Sequence, residues 1–228
     1  MKRKTSSAFT LIELLVVIAI IAVLASFAVP AITSALTKGQ LVGTVNNARQ
    51  YYLAGYQMAL DGNTNADINY NWPGDYNPAV ATLSAYSGKL VTNQYLKTGD
   101  LAKLLSGPGA IVGATSTTDA AGVVTVTLTG TPGLKVYELK DGDSANTIFA
   151  VSANYTYNTA LTTTTSPFGD KGFVVIRKGG DCLSLRKNNA LAANYPNPSA
   201  FQSAVGKLTG DVDGTLGTET AALLLAFP

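Results

Sequence analysis

The 228-residue sequence contains no histidine and a single cysteine, Cys182. Without histidine, the chain lacks the commonest metal ligand and general base among the side chains. Catalytic sites of the Ser-His-Asp and Cys-His types are therefore excluded, as are zinc sites that depend on imidazole. Because one cysteine cannot pair within the chain, no internal disulfide is possible. No coherent pair of acidic residues replaces the missing groups, so we expect no enzymatic activity.

Charge is also scarce. Charged residues make up 13% of the sequence, against roughly 25% in an ordinary soluble protein. The formal net charge is +2, and three of the 16 basic residues are Lys2, Arg3 and Lys4. The remainder is close to neutral, so we expect no polyanion-binding surface and no nucleic-acid partner. Such a composition is typical of a protein that is exported or packed against copies of itself.

The sequence does have one long apolar run, from Phe9 to Pro30, broken only by Thr10, Glu13 and Ser26. As a helix, a run of about 20 residues crosses the hydrocarbon core of a bilayer. The basic cluster before it predicts a single pass with residues 1–8 in the cytoplasm and the chain after Pro30 outside.

Two ordinary interpretations of this run are weaker. The apolar region of a secretory signal peptide is roughly 7–15 residues long, and this run is longer and carries a carboxylate near its start. A plain transmembrane anchor leaves Glu13 unexplained, because an ionised carboxylate in hydrocarbon costs on the order of 2.5–3.5 kcal/mol by insertion scales. Glu13 should therefore have a partner.

The segment Phe9-Thr10-Leu11-Ile12-Glu13-Leu14-Leu15 resembles the cleavage and methylation motif of type IV pilins and type II secretion pseudopilins. The resemblance implies that a prepilin peptidase cuts between Ala8 and Phe9, and that Phe9 becomes an N-methylated amino terminus. Glu13 would then pair with the terminal amine of a neighbouring subunit. The family usually has glycine before the cut, whereas this chain has Ala8. Pro30 lies where many members carry a helix-kinking proline.

The resemblance implies a structural subunit that assembles into a helical filament, with Phe9, Glu13 and Pro30 in the assembly segment. The implied partners are other copies of the chain, the prepilin peptidase, the membrane and an inner-membrane assembly platform. The subunit would pass from the inner membrane into a cell-surface or periplasm-spanning filament. Pilus and pseudopilus stay open; true pilins often close a carboxyl-terminal loop with a disulfide, so a lone cysteine favours a pseudopilin or a less typical pilus. The alternative is a membrane-anchored extracytoplasmic binding domain.

Beyond Pro30 the sequence predicts an α+β fold, with the long helix packed on an antiparallel sheet domain that also has short helices. Four segments are expected: a leader at 1–8, a transmembrane or filament-core helix at 9–30, an amphipathic continuation at 31–60, and a globular domain at 61–228. The continuation should bury one stripe of residues on the domain, namely Ala35, Val42, Val45, Tyr52, Tyr56 and Ala59.

Turn residues predict a loop from Asp61 to Pro78, followed by short helices at 79–90 and 100–105, the second with Asp100 as N-cap. Alternating or apolar runs predict strands at 124–129, 135–139, 147–153, 173–177 and 182–186, the last two joined as a hairpin. From Ala190 to Gly217 long regular elements are excluded, and the apolar tail 221–227 should be tucked into the domain or a subunit interface.

No cofactor is expected, and calcium is the alternative. Asp141 with Asp143, and Asp211 with Asp213, lie in turn-like acidic clusters, as does the segment from Asp61 to Asp67. Calcium needs six to eight oxygen ligands, and no cluster completes an EF-hand loop. Such residues are also ordinary turn formers.

The basic residues near the predicted hairpin should form a solvated face. The tyrosines of the long helix should pack in the core, and Cys182 should be a small buried residue.

Overall fold

The structure is a computed structural model that describes residues 10–76 and 80–228. Contacts divide the described residues into two compact units, one that ends at Gly39 and one that begins at Gln40. The first helix, α1, spans Leu11–Asn65 and contains Pro30. It is followed by three shorter helices, α2 (Leu83–Thr92), α3 (Thr98–Leu105) and α4 (Pro198–Ala204). The six strands are β1 (Val112–Thr118), β2 (Val124–Gly130), β3 (Leu134–Val136), β4 (Ile148–Ser152), β5 (Phe173–Arg177) and β6 (Cys182–Leu185).

The strands form two antiparallel sheets. Strands β1 and β2 make a two-stranded hairpin, and the other four make a sheet in the order β3-β4-β5-β6. A long helix followed by antiparallel sheets and short helices is an α+β fold, so the predicted fold class is confirmed.

The core of residues 40–228 lies on both faces of the four-stranded sheet. On one face, Phe149 and Ile176 pack with Tyr51 and Met58 of α1. On the other face, Val151 and Phe173 belong to a second cluster with Phe201 of α4 and several tyrosines. All five residues of β4 and all five of β5 are buried. Burial on both faces explains why these strands are continuous apolar runs rather than alternating ones.

The buried stripe of α1 differs from the prediction. Tyr52 and Ala59 are buried and Val45 is half-buried, but Val42, Tyr56 and Ala35 are exposed. The buried positions are Leu41, Thr44, Ala48, Tyr51, Tyr52, Ala54, Gly55, Met58, Ala59 and Gly62. Many of them are small because other parts of the chain approach closely: a Cβ built on Gly62 would lie 1.6 Å from the Tyr70 carbonyl oxygen. Apolar spacing alone does not reveal such a face.

Several predicted boundaries were also wrong. Helix α1 continues to Asn65, five residues into the predicted loop. Helix α2 spans Leu83–Thr92 with Thr82 as N-cap, so it begins and ends later than the predicted 79–90; Ala79 itself lies outside the described residues. Helix α3 has Lys97 as N-cap, and Asp100 lies in its first turn. An acidic side chain is favourable there because it faces the positive end of the helix dipole, without being the cap.

Strands β2 and β5, and the β5–β6 hairpin, match the prediction closely, whereas β1 and the short helix α4 were missed. The predicted packing of the carboxyl-terminal tail on the domain is confirmed. Leu225 is buried, and its backbone N–H donates to the Val136 carbonyl at 2.9 Å. On the other side of the tail, the Leu83 N–H donates to the Ala226 carbonyl at 2.9 Å. The tail therefore joins the edge of β3 to the start of α2.

Candidate assembly segment and surrounding sites

The first described residues form a cap at the start of α1. The backbone N–H of Thr10 donates to Glu13 Oε2 at 2.8 Å, and the Thr10 hydroxyl donates to the same oxygen at 2.7 Å. In return, the backbone N–H of Glu13 lies 3.3 Å from Thr10 Oγ1. This reciprocal pair is a capping box, which satisfies amides that the helix leaves without intrahelical partners. The predicted cleavage and methylation positions, Ala8 and Phe9, lie outside the described residues.

One carboxylate oxygen of Glu13, Oε1, accepts no hydrogen bond from the described residues. Both bonds from Thr10 go to the other oxygen, Oε2. Glu13 is also the only ionisable residue between Thr10 and Thr37. The carboxylate is therefore held in a fixed position by its own helix while retaining capacity to accept a further donor.

The following turns of α1 are apolar and unburied on every side. The large side chains from Leu11 to Leu36 are exposed, and the hydroxyls of this segment turn back to the helix. Ser26 donates to the Val23 carbonyl at 2.7 Å, and Thr33 to the Pro30 carbonyl at 3.0 Å. A helix that is apolar all round and satisfies its own polar groups is suited to lipid or to burial among other helices.

The length and composition of α1 also agree with an environment of lipid or other helices. Among the described residues, one helix, α1, is long and apolar enough to cross a membrane, and its most apolar window is entirely unburied. Pro30 lies inside this helix, where it lacks the N–H that would bond to the carbonyl four residues earlier.

Comparison with known protein families identifies a sequence motif in the amino-terminal segment of the chain. Residues 3–29 match the family model of the prokaryotic N-terminal methylation motif. That motif is the type IV pilin and pseudopilin signature, and it supports a type IV pilin-like or pseudopilin precursor that is anchored in a membrane. The motif marks a family of structural, generally non-enzymatic proteins that a prepilin peptidase processes. No curated protein and no solved structure significantly matches the chain.

The acidic turn at Asp141 and Asp143 is held by protein donors. Asp143 Oδ2 accepts the Lys140 N–H at 2.8 Å. The Lys178 ammonium donates to the Asp143 carbonyl at 2.8 Å and also to the Asp141 carbonyl. A lysine ammonium beside these carbonyls repels a divalent cation, so this turn is poorly arranged for calcium as it stands.

The turn at Asp211 and Asp213 is similar. Asp211 Oδ2 accepts the Gly217 N–H at 3.1 Å, and Asp213 Oδ1 accepts the Lys207 ammonium at 2.8 Å. In the third cluster, Asp61 accepts the Tyr95 hydroxyl and Asp67 Oδ1 accepts the Asn69 N–H at 2.9 Å. Within the described residues, no three histidine, cysteine, aspartate or glutamate side chains are grouped to hold a metal. Calcium binding at any of these turns stays a prediction.

Among the basic residues near the β5–β6 hairpin, Lys171, Arg186 and Lys187 are exposed as expected and Lys178 is half-buried, but Arg177 is not part of a solvated face. Arg177 is buried and donates to the Ser203 and Ala204 carbonyls at 3.0 Å, at the end of α4. A guanidinium fits this place because the last carbonyls of a helix are partly negative. Lys171 and Lys187 instead pair with the Asp170 carboxylate. The expectation was wrong for Arg177 because its guanidinium group connects β5 to the end of α4, two elements that are distant in sequence.

The tyrosines of α1 lie mainly in the core, as predicted. Tyr51 and Tyr52 are buried against Phe149, with ring centroids 6.2 and 5.5 Å away, whereas Tyr56 is 42% exposed. Cys182 was predicted to be a small buried residue; it lies in β6, where it is partly buried and packs against the core. Partial burial raises the pKa of its thiol, because burial disfavours the charged thiolate.

Sequence reasoning missed a buried carboxylate, Glu219. Its Oε1 lies 2.5 Å from Lys135 Nζ, and its Oε2 accepts the Tyr137 hydroxyl at 2.7 Å and the Tyr157 N–H at 2.8 Å. The Glu219 side chain is 6% exposed, and burial of Tyr137, together with the nearby Glu219 carboxylate, raises the pKa of the Tyr137 hydroxyl. No local pattern marks this residue because its partners lie more than sixty positions away in the sequence.

Proposed function

We propose that this chain is a structural subunit of a type IV pilin-like filament. In this proposal a prepilin peptidase cuts before Phe9, Phe9 becomes N-methylated, and subunits polymerise through the amino-terminal helix. The observation that carries the proposal is the unburied apolar surface of residues 11–36, which contains a single carboxylate. Such a surface needs lipid before assembly and other helices after it.

Glu13 is the proposed determinant of register. Its open Oε1 accepts the terminal amine of Phe9 in a neighbouring copy, while Thr10 holds Oε2. Pairing a carboxylate with an amine relieves the cost of keeping each charge in an apolar environment. Because the pair forms only at one axial offset between two helices, it also fixes the rise from subunit to subunit.

The part of α1 within residues 40–228 offers a second contact surface. Leu53, Tyr56 and Leu60 are large apolar residues on its exposed side, spaced by three and four positions. That spacing places them on one helix face, which suits packing against another copy. The assembly proposed here would cover side chains that are otherwise open to water.

The proposed path begins in the inner membrane, with a single pass and a cytoplasmic leader. An assembly platform then draws subunits into a filament that either spans the periplasm or leaves the cell. Extracellular fibres containing the chain would assign it to a pilus. Retention in the periplasm, with loss of protein export in a deletion strain, would assign it to a pseudopilus.

The first test is amino-terminal sequencing and intact mass of the full chain recovered from sheared cell surfaces and from membranes. Loss of residues 1–8 with a methylated Phe9 is the expected result. An intact Met1 in a protein confined to membranes would instead support the anchored binding domain.

The second test is Glu13→Ala, with Lys38→Ala as the control at an exposed charged position of the same helix. We expect Glu13→Ala to abolish filaments in electron micrographs while the protein stays in the membrane, and Lys38→Ala to retain them. Normal filaments from Glu13→Ala would refute the proposed register contact.

A further inference from the structure

Strand β1 has one unpaired edge. The backbone N–H of Thr131 donates to the Ile111 carbonyl, and the backbone N–H of Asp119 donates to the Val123 carbonyl. The backbone N–H and C=O groups of the odd-numbered residues along β1 therefore point toward β2. The even-numbered residues must face away, because hydrogen-bonding direction alternates along a strand. Val112 follows this pattern, because its backbone N–H points away from β2 and donates to Ser106 Oγ at 2.9 Å. Within the described residues, the outward N–H and C=O groups of Ala114, Ser116 and Thr118 have no partner.

This edge has none of the features that usually prevent strands from pairing. The hairpin from Val112 to Gly130 contains a single charged residue, Asp119, which lies in the turn. It contains no proline, and the register from Val112 to Thr118 runs without a bulge. Charges, prolines and bulges are the devices that protect exposed edges in other proteins. Ser116 and Thr118 are also exposed, with Ser116 Oγ accepting the Thr98 hydroxyl of α3 at 2.9 Å, so the edge is accessible at these two residues.

The outer face of the hairpin is equally uniform. Thr115 lies opposite Thr127, and Thr117 opposite Thr125. All four are exposed. The face therefore presents paired hydroxyls with no charge.

We propose that β1 pairs antiparallel with β1 of a second copy of this chain. Centred on Ser116, the pairing uses the outward groups of Ala114, Ser116 and Thr118 in both copies and forms about six backbone hydrogen bonds. It places Thr115 of each copy opposite Thr117 of the other, which continues the threonine face across four strands. Threonine pairs across strands are favourable, and the segment from Val112 to Thr118 that pairs contains no charged residue.

A second copy fits this edge because the pairing is self-complementary and needs no opposite charge from a partner. The contact is two-fold symmetric. A two-fold contact of this kind cannot repeat along a polar filament, so it joins subunits of different filaments. This step rests on the proposed function. A single pairing is weak, but many in parallel along two filaments give strong lateral association through multivalency.

The first test compares sheared filaments of the full chain by electron microscopy and sedimentation. Ser116→Pro removes an outward N–H without touching a hairpin bond, since proline is tolerated at such edge positions. Ser116→Ala is the matched control, because both variants lose the same hydroxyl. We expect Ser116→Pro to lower the bundled fraction roughly fivefold or more and Ser116→Ala to leave it unchanged. Dispersed wild-type filaments, or equal bundling in both variants, would overturn the proposal.

The second test separates edge pairing from filament formation. Full chains carrying Cys182→Ala and either Thr115→Cys or Thr117→Cys are expressed together in one membrane and mildly oxidised. We expect a disulfide dimer from the mixture and far less from either variant alone, because residues 115 and 117 face each other between copies. A mixture of Thr125→Cys and Thr127→Cys is the control.

The two proposals fail in different ways. Filaments without bundles or cross-links would overturn edge pairing and leave the filament function standing. Cross-links in membranes from a chain that forms no filaments would overturn the filament function and leave edge pairing standing.

Discussion

The hydroxyl of Tyr86 lies 2.6 Å from the point that a Cβ on Gly55 would occupy. Tyr86 is fully buried, and its hydroxyl has no hydrogen-bond partner among the described residues. Gly55 of α1 and Tyr86 of α2 therefore fit together only because the helix lacks a side chain at this position.

Gly55→Ala should destabilise the protein despite the better helix propensity of alanine. The added methyl group would overlap the buried hydroxyl oxygen of Tyr86, and overpacking of this kind typically costs about 1–3 kcal/mol. Gly43→Ala is the matched control on the same helix, because nothing lies within 4 Å of its Cβ position. We expect Gly43→Ala to raise the free energy of unfolding by up to about 1 kcal/mol. Denaturant unfolding of the full chain in detergent measures both, and equal effects would refute the close fit.

Tyr86→Phe should stabilise the protein by about 1 kcal/mol, since it removes a buried polar group that has no partner. Tyr51→Phe should act in the opposite direction. The Tyr51 and Ser87 hydroxyls are hydrogen-bonded at 3.1 Å and both residues are buried, so the variant leaves Ser87 without that partner. Thermal melts of the two variants check the prediction, and a loss of stability in Tyr86→Phe would count against it.

Glu219→Ala should destabilise residues 40–228 by about 3 kcal/mol, because it removes a buried carboxylate that the Lys135 ammonium, the Tyr137 hydroxyl and the Tyr157 N–H all contact. Asp213→Ala is the control. Asp213 also pairs with a lysine, but its side chain is 82% exposed, so we expect a change of less than about 1 kcal/mol. Limited proteolysis of the carboxyl-terminal tail gives a second readout. Similar stability losses in the two variants would show that burial of Glu219 contributes little.

Stability should be nearly flat around neutral pH and fall in alkali. The chain has no histidine, and burial raises the pKa of several tyrosines, including Tyr52 to about 12. A raised pKa in the folded state means that the unfolded state loses its phenolic proton first. The contribution of Tyr52 is therefore complete below the ordinary tyrosine pKa of about 10 and is lost as pH rises to about 12.

Unfolding free energies measured from pH 6 to pH 11.5 check this alkaline loss. Tyr52→Phe should make the decline above pH 10 shallower, even though it removes the hydrogen bond from Tyr52 to the Lys178 carbonyl. A decline of the same steepness in the variant would contradict the role of Tyr52.

Processing offers a further prediction. If a prepilin peptidase cuts before Phe9, Ala8→Gly should be processed at least as fast as the wild type, because the family usually has glycine there. Pulse-chase labelling followed by gel mobility measures the rate. Slower processing of Ala8→Gly would mean that the enzyme acting on this chain prefers alanine.

The parts of the fold that were predictable are those specified by neighbouring residues. The apolar run after Phe9 and the Lys178-Gly179-Gly180-Asp181 turn between β5 and β6 are local signals, and both gave the right elements. Strand β1 was missed because Val112 is its only fully buried residue, so its sequence shows little apolar alternation.

Other features depend on contacts between distant segments. The buried face of α1 is set by the approach of Tyr70 and Tyr86 to Gly62 and Gly55, and Arg177 is buried because α4 ends beside it. Neither the buried face of α1 nor the burial of Arg177 produces a periodic pattern in the sequence. Glu13 differs, because an acid inside an apolar run is visible in the sequence without any knowledge of the fold.

The carboxyl-terminal tail has a consequence for biogenesis. Leu225 and Ala226 join β3 to α2, and they follow every described strand in the sequence. This junction can therefore form only after both residues have been synthesised. A product truncated before Leu225 would keep the edge of β3 open, and an open strand edge is a template for pairing with another chain.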